Sequence, residues 1–366
     1  MPQLSPSTPR RHVRTLRLAV LGLLLALLPL HGYAHERWFT PEGPYWDPDW
    51  SKLFSLPVLL ALISAGIVVG GLAVLQRIVG DPLWPRPPVF QRLETAAPAI
   101  LGVQAAITII YMATQLRLFV PNIELPRNII GVGIAGITIV AAFSFITGVL
   151  TRLGALVTLA LFALAFVFGA WYEAIEQVIF VGIAFYLVAV GRGVVRYDGQ
   201  GEEDRTSLSD RLRPIALPVL RIAAGLSVLI LGFTEKLLAP GLGVAFLQEY
   251  PHFNLARALG FTWFTDERFV YAAGIVEATI GAALLSGFLV RVVILALWIP
   301  FNLGIPFLPP TELLGHLPIL ASMYVLLVRG TEGIPPPADD AESSVSHRPE
   351  GSSARLREPE PLQSPR

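Results

Sequence analysis

There is no cysteine in this 366-residue chain. That absence excludes disulfides, paired-cysteine zinc sites, iron–sulfur ligation and thiol relays. Charge is also scarce: Asp, Glu, Lys and Arg make up 15% of residues, against about 25% in soluble domains. Acidic and basic residues balance at 27 each, so no net field favours nucleic acid. Lysine occurs only at Lys52 and Lys236. No P-loop, dinucleotide fingerprint or nucleophilic triad is present. The "GVGIAG" at 131–136 lies inside an apolar run and reads as helix packing, not as a phosphate loop.

What is present is apolar surface, with 54% hydrophobic residues. This balance is that of an all-α polytopic membrane protein, because only helices satisfy their own backbone in lipid without closing a barrel. The runs lack the alternation of barrel strands. Nine stretches are long enough to span: 53–76, 96–116, 129–149, 153–170, 174–191, 215–238, 269–287, 290–307 and 313–328. Proline-rich breaks such as "DPLWPRPP" and "IPFLPP" separate several of them.

The first residues read as a targeting segment. Arg10, Arg11, Arg14 and Arg17 precede an apolar run from Leu18 to Leu30, and Gly32 and Ala34 supply the small residues of a cleavage site. The expectation is a signal peptide over 1–34, with an uncleaved anchor as the alternative. Cleavage after Ala34 makes His35 the first residue. With His35 outside, the inner loops carry ten basic residues and the outer segments six. That bias places the mature N-terminus outside and the C-terminus in the cytoplasm of a bacterial inner membrane. The tail over 330–366 is rich in Pro, Ser and acidic residues and is expected to be disordered.

Shifting the chain by 139 residues brings Gly148 onto Gly287, Arg152 onto Arg291, Glu173 onto Glu312 and Gln177 onto His316. The preceding helices, "PAILGVQAAITIIYMATQLRLFVP" and "PVLRIAAGLSVLILGFTEKLLAP", match at a different shift, about 119 residues. The expectation is two tandem four-helix units, 96–192 and 215–329, joined by a cytoplasmic linker at 193–214. The segment 35–95 contributes an outer stretch and an extra helix.

The second unit keeps more ionisable groups. Arg221, Gly225, Gly232 and Lys236 fall on one helical face, which reads as a glycine groove with a cation near each end. Glu277 lies inside the hydrocarbon region, where a carboxylate must be neutral or paired, and Arg221 is the candidate partner. "TELLGHLP" puts Glu312 and His316 four apart on one face. His35, His252 and His316 all map to the outer side.

At "GFTEKLLAPGLGVAFLQEYPHFN" and "EATIGAALLSGFLVR" the second unit resembles the DoxX-like family of small four-helix membrane proteins. The marks are Arg221, Gly232, Lys236, Pro240, Phe246, Glu277, Gly281, Gly287 and Arg291, over about 218–329. The wider pattern of "AHERWF" and "TELLGHLPI" is similar to a group of bacterial DoxX-related membrane proteins. The resemblance implies quinone-linked redox chemistry with a partner protein.

Three functional readings follow. The first is a quinone-interacting subunit of a membrane redox system. Arg221, Lys236, Glu277, Glu312 and His316 are the candidate binding residues, and a redox partner protein supplies electrons. The second is a metal-binding membrane protein. A terminal His35 offers its α-amine and ring nitrogen to copper, with His252 or His316 completing the site. The third is a transporter or a structural partner protein, which a repeat and an intramembrane acid also fit.

Overall fold

The computed structural model describes residues 47–80, 87–192, 207–304 and 310–330. The expected signal peptide, His35 and the tail beyond Gly330 lie outside the described residues. Within them the chain is helical, and its only strand-like feature is an isolated bridge between Arg117 and Glu124.

The helices are α1 (Leu56–Val79), α2 (Pro88–Leu93), α3 (Ala97–Thr114), α4 (Ile129–Thr147), α5 (Thr151–Phe168), α6 (Trp171–Glu176) and α7 (Val178–Val190). They continue with α8 (Ser207–Leu231), α9 (Pro240–Glu249), α10 (Leu255–Ala258), α11 (Asp266–Ser286), α12 (Val290–Gly304) and α13 (Pro310–Arg329). Local chemistry marks their ends. The Asn128 side chain accepts hydrogen bonds from the backbone N–H groups of Ile130 and Gly131 to start α4. Thr265 caps α11 through Arg268 N. Both helices end on a left-handed glycine, Gly148 (φ 84°) and Gly287 (φ 79°).

Among the described residues, six helical stretches are long and apolar enough to cross a membrane: Leu56–Val79, Pro88–Thr114, Ile129–Thr147, Thr151–Phe168, Arg211–Leu237 and Asp266–Ser286. The chain is a multi-pass membrane protein by this pattern. The other three expected spans fall on α7, α12 and α13. Helix α7 has 13 residues because Gln177 breaks it from α6, and α12 has 15.

Helices α3, α4, α5 and α7 pack on one another, and α8, α11, α12 and α13 form a second such group. The two groups join reciprocally: α7 lies on α8, and α13 lies on α3. One continuous apolar core runs through both. Hydroxyls cross the joint in both directions. Thr108 on α3 donates to the Leu314 carbonyl (2.6 Å), and Ser227 on α8 donates to the Glu176 carbonyl (2.7 Å). Helix α1 stands apart and packs on α11.

The 139-residue shift recurs in the backbone. Leu150 (φ 53°) and Leu289 (φ 45°) both take positive φ, as do Gly191 (φ 71°) and Gly330 (φ 76°). Arg152 Nε donates to Val188 O at 3.2 Å, and Arg291 Nε to Leu327 O at 3.0 Å.

Candidate functional site

Two ends of the bundle differ in chemistry. At one end arginines terminate helices. Arg192 Nε donates to the Phe145 carbonyl (2.7 Å), and Arg221 Nη1 donates to the Leu284 and Leu285 carbonyls (2.5 and 2.6 Å). Arg329 faces Glu94 at 3.8 Å. The opposite end is aromatic and acidic. Trp50 stacks on Trp171 with centroids 5.3 Å apart, and the Tyr172 hydroxyl donates to Asp47 at 2.8 Å. Asp49 N donates to Leu238 O at 3.0 Å, so residues 47–54 strap across this end onto the close of α8. Hydrogen bonds from Ser51 hold the exposed Asp49 carboxyl below its ordinary value.

Between these ends, α8 and α11 cross at unusually short range. A Cβ on Gly225 would stand 2.9 Å from Gly281 O, and one on Gly281 would stand 2.6 Å from Leu229 N. Likewise a Cβ on Gly232 would meet Ala278 N at 3.0 Å, and one on Gly274 would meet the Lys236 and Leu237 side chains at 2.9 Å. Four glycines, spaced seven apart on each helix, therefore let the two backbones touch.

At the aromatic end of this crossing α8 does not continue as an α-helix. Residues Gly232–Leu237 form a π-turn, closed by Leu238 N donating to Phe233 O at 2.8 Å. Such turns are rare and frequently mark functional positions. The wider turn buries Thr234, Glu235 and Lys236 together. Lys236 Nζ lies 3.1 Å from Glu277 Oε2, with the two side chains 3% and 13% exposed. Val58 and Ala61 of α1 close over Leu237, Leu238 and Ala278 beside the pair.

This arrangement corrects one pairing. The partner of Glu277 is Lys236, not Arg221. Arg221 sits 15 residues earlier on α8, roughly 22 Å along a helical rise, and binds the end of α11. The four-residue face is nonetheless real, since Arg221, Gly225, Gly232 and Lys236 all meet α11. The remaining candidates are not shown joining them. His316 is buried on α13. Glu312 belongs to the same helix, with its side chain outside the described residues. His252 is exposed, with its ring 4.5 Å from that of Phe253, and lines an open recess of ≈ 520 Å³ with Arg257 and Asp266. Among the described residues no three His, Asp or Glu side chains gather to hold a metal ion.

Sequence reasoning missed Glu235 and Glu176, both almost fully buried. Glu235 adjoins Lys236, and neighbours on an α-helix point about 100° apart; both are buried within the π-turn. Glu176 stood beside the noted Gln177. The first group lacks the pair: the positions matching Glu277 and Lys236 are Thr138, which bonds its own helix at Ile134 O, and Arg117, which faces Glu124 near the surface.

Comparison with family models, curated proteins and solved structures finds no match to this chain.

Proposed function

We propose that this protein is a DoxX-like inner-membrane redox subunit that engages a quinone beside Lys236 and Glu277. The supporting observation is that ion pair, held at 3.1 Å inside an apolar bundle next to a π-turn. A carboxylate and an ammonium are costly inside an apolar bundle even when paired, and ionisable groups there mark functional sites. A quinone asks for this chemistry: a donor for its carbonyl oxygen, a group to pass protons, and apolar walls for its ring. Lys236 supplies the donor, and Glu277 takes up a proton from water and passes it to the quinone oxygen, once for each of the two protons. Reduction takes two electrons and two protons per quinone. A redox partner protein supplies the electrons.

In this reading the chain spans nine times, as two four-helix copies plus α1. The arginine end faces the cytoplasm, by the positive-inside bias. The pair then lies toward the outer leaflet, and the active copy is the second, because Thr138 replaces the acid in the first.

The test is extraction of quinone from protein purified in mild detergent. Wild type is expected to carry quinone, and Lys236→Met to carry little. Wild type that carries none and takes up none when supplied contradicts the proposal.

A further inference from the structure

Residues 250–265 leave the bundle at the aromatic end and return to start α11. This excursion is built rather than loose. Helix α10 ends in a Schellman motif: Gly260 takes φ 94°, its N–H donates to Arg257 O (3.0 Å), and Phe261 N donates to Ala256 O (2.9 Å). Asn254 is fully buried and ties the start of the hairpin to its returning limb, donating to Phe264 O (3.2 Å) and Asp266 Oδ1 (2.8 Å). Arg257 Nη1 bridges to Asp266 Oδ2 at 2.6 Å, and Arg268 Nη1 donates to Trp263 O at 2.6 Å.

Yet the tip of this braced hairpin turns large apolar groups outward. Leu259, Phe261 and Trp263 are 74%, 51% and 64% exposed. In water such a cluster costs about 25 cal/mol for each Å² left uncovered, and contiguous apolar patches on a rigid frame mark contact surfaces.

We infer that the 255–265 hairpin is a membrane-interface anchor, docked with Leu259, Phe261 and Trp263 in the leaflet at the aromatic end of the bundle. Three observations favour lipid as the occupant. The hairpin leads directly into α11, a helix of spanning length whose first turn must lie at the bilayer surface. Its tryptophan shares that end with Trp50 and Trp171, also exposed, and exposed tryptophans at one end of a bundle are the residues that settle at a membrane interface. Arg257 and Arg268 flank the apolar tip, Arg257 60% exposed although paired, so a docked hairpin would set their cations among lipid phosphates.

The absence of cysteine gives a direct test. A single nitroxide is placed by Phe261→Cys, or by Leu259→Cys at the same tip, in otherwise intact protein reconstituted in nanodiscs of phosphatidylethanolamine and phosphatidylglycerol. Val140→Cys, exposed on mid-α4, serves as the hydrocarbon reference and free label as the water reference. The expected result is an oxygen-to-nickel collision ratio well above that of free label and below that of Val140→Cys. A ratio equal to free label overturns the anchor. So does an immobilised spectrum that neither reagent reaches, which would mean that protein covers the tip.

Discussion

Lys236 and Glu277 carry opposite charges in surroundings that favour neither. Each ion loses several kcal/mol of hydration on burial, and their mutual attraction only offsets that loss. Removing one partner leaves a buried charge and is expected to cost about 3–5 kcal/mol, whereas replacing both with apolar groups costs far less. Lys236→Met and Glu277→Leu should therefore each lower the melting temperature in detergent, and the double variant should regain most of the loss. Additive losses in the cycle would show that the two side chains do not act as a pair. The arginines have a different role. Arg192 in the first group reaches the Phe145 carbonyl, and Arg221 in the second reaches the Leu284 carbonyl, which is the same position 139 residues on. Different side chains thus satisfy the same helix end. Arg221→Ala is expected to cost about 1.5–3 kcal/mol, the range for hydrogen bonds to a charged donor, read as a fall in melting temperature. A melt unchanged from wild type would mean that water or another side chain takes over the cap.

At the scale of elements, glycine has two meanings here. Gly281 allows α8 and α11 to touch, and an added methyl would strike the Leu229 backbone. Gly66 on α1 has nothing within 4 Å of its missing Cβ. Gly281→Ala is expected to destabilise the bundle and loosen the Lys236–Glu277 pair, while Gly66→Ala should be neutral or gain up to about 1 kcal/mol from helix propensity. Equal melts for the two variants would contradict the close crossing. The seven-residue glycine spacing was legible in the sequence, because Arg221, Gly225, Gly232 and Lys236 share a face on any α-helix. The π-turn was not. Nothing in "GFTEKL" distinguishes five-residue from four-residue closure, so the burial of Glu235 and the pairing of Lys236 with Glu277 could not be read. The break at Gln177 between α6 and α7 was also not legible, because hydropathy runs through it.

Across the whole molecule, the repeat suggested by Gly148/Gly287 and Arg152/Arg291 has a counterpart in the backbone: matched residues of positive φ and matched arginine-to-carbonyl bonds. The reciprocal packing of α7 on α8 and α13 on α3 was not visible in sequence, since apolar helices carry little information about partners. The excess of basic residues at one end and the exposed tryptophans at the other make orientation testable in a chain without cysteine. Lys52→Cys should react with an impermeant thiol reagent added to intact spheroplasts, and Arg211→Cys only after the membrane is opened. The reverse pattern would invert the bundle. The most direct measurement of the functional account is titration of a short-chain quinone into purified wild-type protein and into the Lys236→Met/Glu277→Leu double variant, which is expected to stay folded. The account predicts saturable binding to wild type and its loss in the double variant. Equal binding to both, or binding to neither, would contradict it.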